Sequence, residues 1–118
     1  VRADLSKSSL AGADLTNADL CNADLDGADL CWAKISSAKL AGADLSQAKL
    51  IATDNFGSDF SRANLTGADL SRSSCIAADF FGADLREADF RGANIDRADF
   101  DYARFKKTTM PDGSLKSD

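Results

Sequence analysis

A strict five-residue period governs this chain and leaves it few ways to fold. Counted from Leu5, every fifth residue as far as Met110 is a repeat centre. These centres are twelve Leu, five Phe, Ile35, Ile95 and Met110, with Asn55 and Cys75 as the two exceptions. Two positions before the centre stands Ala in seventeen of the twenty-two units; Ser8, Thr53, Ser58, Ser73 and Thr108 fill the others. Between the two lies Asp or Asn in fifteen units. The run Ala13-Asp14-Leu15-Thr16-Asn17-Ala18-Asp19-Leu20 displays the rule, and self-similarity of this kind decides the fold class before any element is assigned.

Five residues advance an α-helix by about 500°, so successive centres would lie roughly 140° apart and build no common face. In extended chain, alternate residues share a side, which places Ala and the centre inward and Asp outward. The two residues that follow, such as Asp26-Gly27 and Thr66-Gly67, are of the types that turn a chain. The unit is therefore a short strand and a corner. Equivalent positions of successive coils stack and should share their irregularities. A coil of four units, twenty residues, aligns Phe60 with Phe80 and Phe100, Asn55 with Cys75, Cys31 with Ile51 and Phe56 with Ile76. A fifteen-residue coil aligns fewer.

These residues resemble the pentapeptide-repeat family, whose consensus centres on Ala-(Asp/Asn)-Leu, and the resemblance runs from residue 3 to 110. It implies an all-β fold, a right-handed quadrilateral β-helix of about five and a half coils. Residues 1–110 would form the repeat helix and residues 111–118 a terminating segment. Thr109-Met110-Pro111-Asp112-Gly113 is similar to the closing segment of cyanobacterial members. Proline removes a ladder donor there and Asp-Gly supplies a turn. No N-terminal cap is visible. Val1 is read as a processing or fragment boundary, and preceding residues or another chain are expected to cover that end.

Composition narrows the function classes. The 118 residues carry a net charge of −5, which argues against nucleic-acid or membrane binding through a basic surface. The chain has no His, and Cys21, Cys31 and Cys75 lack metal-ligand spacing. A His-activated nucleophile is excluded, carboxylates already have a repeat-wide role, and neither a cofactor nor catalysis is expected. Cys21 and Cys31 fall on opposite faces and are not expected to form a disulfide. The expected compartment is the cytoplasm, with the periplasm and thylakoid lumen as alternatives.

Four faces follow from the twenty-residue coil, with first centres Leu5, Leu10, Leu15 and Leu20. The first is nearly ideal. The third reads Leu15, Ile35, Asn55, Cys75, Ile95 inward and also exchanges Ala for Thr53 and Ser73. Its buried polar residues are expected to satisfy one another. The Asp rows are expected to bond the corner backbone, because Asx side chains do so and the rows follow the repeat everywhere. Asn64-Leu65-Thr66 matches a glycosylation sequon, but Leu65 must be buried, so it is set aside. At the borders of the third face the outward row loses its uniform polarity at Trp32, Ile51, Phe56 and Ile76, with Lys34 between them. These five residues form the expected partner-binding surface, since clustered outward apolar groups ringed by polar ones suit a contact.

The leading functional reading is a non-catalytic protein-interaction or scaffold module with an unidentified protein partner, no direct contact to nucleic acid or membrane, and end-to-end association left open. The alternative comes from the quinolone-resistance branch of the same family, whose members imitate duplex DNA and engage DNA gyrase. Against it, Arg62, Arg72, Arg86, Arg91, Arg97, Arg104, Lys106 and Lys107 interrupt the acidic rows of the second half.

Overall fold

Parallel backbone bridges join each residue before a centre to the one twenty positions later, from Asp4–Asp24 through to Asp89–Thr109. One coil therefore takes four units, and the fifteen-residue alternative is ruled out. The structure, a computed structural model, describes residues 2–118; Val1, read above as a boundary, lies outside them. The strands are shorter than expected. Each is a single bridging residue, because two of every five residues are spent on the corner and the ladder cannot extend past it.

Three bonds tie each unit to the next coil. At the first face the amide of Leu25 donates to the Asp44 carbonyl at 2.7 Å, that of Gly27 to Ser46 at 2.9 Å, and that of Asp44 back to Ala23 at 2.9 Å. Within the coil, the amide of Ala28 donates to the Leu25 carbonyl at 3.0 Å and closes the corner. The second corner residue has φ between 51° and 72° in every unit from Lys7 to Lys107. A closing bond with positive φ at the third turn position is the type II pattern.

The interior is filled in columns. Leu25, Leu45, Leu65 and Leu85 are fully buried along the first face. Phe60, Phe80 and Phe100 stack on the fourth with centroids 5.1 Å apart and planes within 4°, and Phe90 meets Phe80 edge-on. The Ala column has to be small because these bulky centres leave room for a methyl group and little more. In the first coil Leu5, Leu10, Leu15 and Leu20 remain partly exposed.

At the other end, β1 (Thr108–Thr109) pairs antiparallel with β2 (Leu115–Lys116). The Met110 amide donates to the Ser114 carbonyl and that of Gly113, at φ 85°, to Met110, both at 2.8 Å. The turn expected at Pro111-Asp112-Gly113 is present, but it sends the chain back over the first face. There the Asp118 amide donates to the Phe105 carbonyl at 3.0 Å. The described chain measures 34 × 23 × 22 Å.

Leu65→Ala empties one slot between Leu45 and Leu85 and should cost about 2–5 kcal/mol. Equilibrium denaturation checks this, and a variant as stable as the parent would contradict the inward assignment.

Candidate functional site

The Asp rows were the largest chemical feature to explain, and the backbone explains them. In all fifteen units with Asp or Asn before the centre, Oδ1 accepts the amide two residues on, as in Asp44 with Ser46 at 3.0 Å and Asn64 with Thr66 at 3.1 Å. At Ser6, Thr16 and Ser46 the hydroxyl donates to the same oxygen, 2.6 Å at Thr16 and Asp14. That hydroxyl, then the amide, holds the Asp14 carboxyl below its ordinary value. A row of side chains each committed to its own corner is architecture, and it leaves the third face as the place where the repeat departs from its rule.

That face is polar inside. Asn55 is fully buried, and its Nδ2 donates to Thr53 Oγ1 at 2.8 Å and to Cys75 Sγ at 3.6 Å. Thr53, Ser58 and Ser73 pass their hydroxyl hydrogens to the carbonyls of Leu50, Asn55 and Leu70, at 2.8, 2.7 and 2.6 Å. Ser73 Oγ also lies 3.3 Å from Cys75 Sγ. The mutual satisfaction expected from the sequence is met with one exception, Asn55 Oδ1, which has no partner. Burial pushes the Cys75 thiol pKa up. All three cysteines are free thiols. Among the described residues no cluster of metal-ligating side chains forms and no helix is long and apolar enough to cross a membrane.

Of the five expected surface residues, Trp32 is 71% exposed and Phe56 48%, and Lys34 is exposed between them on the outward row. Ile51 and Ile76 are half-buried. Trp32 and Ile51 share one border of the face, where the Trp32 amide donates to the Ile51 carbonyl at 2.9 Å; Phe56 and Ile76 share the other. The structure thus arranges the five as two borders around one outward row. Trp32 also sits at φ 65°, in a column where Gly12, Ala52, Arg72 and Gly92 hold the same corner position. A bulky side chain pays a steric cost there that glycine does not.

A second surface aromatic cluster, which the sequence reading did not bring together, lies at another corner. Tyr102, 82% exposed, packs against Phe81 with centroids 5.3 Å apart, and the Arg62 guanidinium lies 5.4 Å from the Phe81 ring centre. The three occupy consecutive coils of the corner between the fourth and first faces. Arg62 and Tyr102 share the column of Gly82, and Phe81 lies one position before it, so the contact is diagonal.

A solenoid of five-residue units, four to a coil, with outward Asx clamps and small inward residues, defines the class of protein. The family model for pentapeptide repeats matches eight copies over residues 1–36, 38–74 and 73–110, and the chain belongs to that family. Two solved cyanobacterial structures resemble it well. Rfr23, a pentapeptide repeat protein from Cyanothece 51142, is 24% identical with a TM-score of 0.84, covering 86% of this chain and 82% of that one. HetL of Nostoc sp. strain PCC 7120, a pentapeptide repeat protein involved in heterocyst differentiation regulation, is 32% identical with a TM-score of 0.63. The match covers 98% of this chain and 63% of HetL. QnrB1, a plasmid-mediated fluoroquinolone resistance protein, is 20% identical with a TM-score of 0.39, over 92% of this chain and 61% of that one. No curated protein gives a significant sequence match.

Asn55→Leu removes a buried acceptor that has no partner and restores the apolar centre. The variant should melt at or above the parent temperature, because an unsatisfied buried polar atom costs about 1–3 kcal/mol. A clear loss of stability in a thermal melt would show that the amide contributes more to the fold than its two donated bonds.

Proposed function

We propose that this chain is a non-catalytic protein-interaction module of regulatory or scaffolding type, wound as a right-handed quadrilateral helix of about five and a half coils. Its partner is a protein, bound without direct contact to nucleic acid or membrane and without a cofactor, in the cytoplasm. The observation that carries the reading is Trp32. It stands 71% exposed at a left-handed corner, the one aromatic residue in a column otherwise made of Gly12, Ala52, Arg72 and Gly92, and it buries little in return for its strain. A residue kept against the backbone's preference is explained by what it contacts outside the chain.

With Phe56 across the third face and Lys34 between, Trp32 supplies what an interface centre needs: aromatic anchors, a cation and a polar surround. HetL is involved in heterocyst differentiation regulation, and a regulatory role for this chain enters as part of this proposal. The DNA-imitating alternative gains no comparable support. On the first face the acidic row Asp4, Asp24, Asp44 gives way to Asn64, to Asp84 paired with Arg86 at 2.5 Å, and then to Arg104.

Trp32→Gly should leave the melting temperature unchanged or raise it, since glycine relieves the corner, and should weaken partner binding by about 1 kcal/mol or more. Phe56→Ala should weaken binding similarly, while Gln47→Ala at the edge of the first face should not. Titration of each variant against the partner, with a melt beside it, checks this. Variants that bind like the parent would remove the third face from consideration.

A further inference from the structure

The corner where the C-terminal segment folds back holds a cleft of about 450 Å³ lined by Arg86, Arg104, Lys106 and Lys107, with Asp118 as the acidic residue of its lining. In a chain of net charge −5, four cations around one opening are the strongest local reversal of sign. The coil places them together. Arg104 lies directly over Asp84 on the first-face row, and the Glu87 amide donates to the Lys106 carbonyl at 2.8 Å, so the corner 86–87 stacks under 106–107. Glu87 on that corner and Asp84 on the first-face row are nearby acids outside the cleft lining.

Two features give the cleft its polarity and order. The Asp84 carboxylate grips Arg86 through both oxygens, at 2.8 Å to Nε and 2.5 Å to Nη2, which fixes the direction of the guanidinium. The Asp118 carboxylate, in turn, is seated inside, its Oδ2 accepting the Phe105 amide at 3.1 Å beside the Lys107 amide, which donates to Ser117 Oγ at 2.9 Å. Lys116 closes the rim with its ammonium 4.9 Å from the Phe105 ring centre. An anionic oxygen already docks on a backbone amide among these cations, supplied by the chain itself. Asp84 pairs with Arg86, while Arg104, Lys106 and Lys107 form no ion pair among the described residues. Like cations held this close repel unless an anion sits between them, and guanidinium forks match the oxygens of phosphate.

We propose that this cleft binds phosphate groups, either as a free anion or on a phosphorylated side chain, with Arg104 and Lys106 as the principal contacts and Asp118 as an internal competitor. It is separate from the third face and does not depend on the reading given to it. Pyrophosphate serves as the probe for the free anion and a phosphoserine peptide for the attached one.

Titrating pyrophosphate into the full chain at low ionic strength should shift the amide resonances of Phe105, Lys106 and Lys107 and saturate with a Kd below about 1 mM. Added salt should weaken the binding. Arg104→Gln and Lys106→Gln should each weaken it about fivefold or more without changing the melt, and Asp118→Asn should tighten it about threefold by removing the competing charge. Arg72→Gln, on another corner, should leave it unchanged. A phosphoserine peptide that saturates at lower concentration than pyrophosphate, while its unphosphorylated form does not bind, identifies the attached group as the ligand; the reverse order identifies the free anion. The proposal fails if neither probe saturates these shifts by about 10 mM, or if Arg104→Gln and Lys106→Gln bind as the parent does.

Discussion

Everything in this chain depends on turning a corner every fifth residue. A corner needs one residue in the left-handed region, and from Lys7 to Lys107 fourteen of the twenty-one such residues are not glycine. Their strain has to be offset at every turn. The offset comes from the closing bond of the turn and from the Asx oxygen that captures the amide between centre and corner. The arrangement uses local atoms only, so it can repeat without reference to the rest of the chain. It also explains why an acidic sequence need not be an acidic ligand surface.

Once the corners are set, packing follows. The coils stack through three backbone bonds per unit, and side chains at equivalent positions fall on one another. Shape is therefore matched within columns, Leu on Leu along the first face and Phe on Phe along the fourth. The third face shows what the scheme tolerates. A polar layer at Thr53, Asn55, Ser73 and Cys75 is accommodated because the hydroxyls return their hydrogens to nearby carbonyls, and one amide oxygen is left over. The fold carries that cost because so much of its stability is distributed over identical local units.

Much of this was legible in the sequence. The coil length, the inward columns, the Phe stack, the meeting of Asn55 with Cys75 and the backbone role of the Asp rows all follow from a period of five and its irregularities. The reason is that each depends on stacking at a fixed offset. What could not be read depends on side-chain direction or on departure from the repeat. Tyr102 reaches Phe81 from the coil above and one position along, a diagonal contact that column alignment does not reveal. Residues 115–118 carry no repeat signal, so their return over Phe105 and the cationic cleft it helps to form appear only in the structure. The strands contract to single bridges because the corner claims residues that the alternation pattern alone would assign to the ladder.

The Asp rows stabilise corners through an acceptor oxygen and not through charge. Asp69 suits the test, because its Oδ1 accepts the Ser71 amide at 3.0 Å and its row neighbours, Lys49 and Asp89, oppose each other in charge. Equilibrium urea denaturation of Asp69→Asn and Asp69→Ala measures the two contributions separately. Asn, which keeps the oxygen, should stay within about 0.5 kcal/mol of the parent, while Ala, which loses it, should cost about 1 kcal/mol. Equal losses for both, or none for Ala, would contradict it.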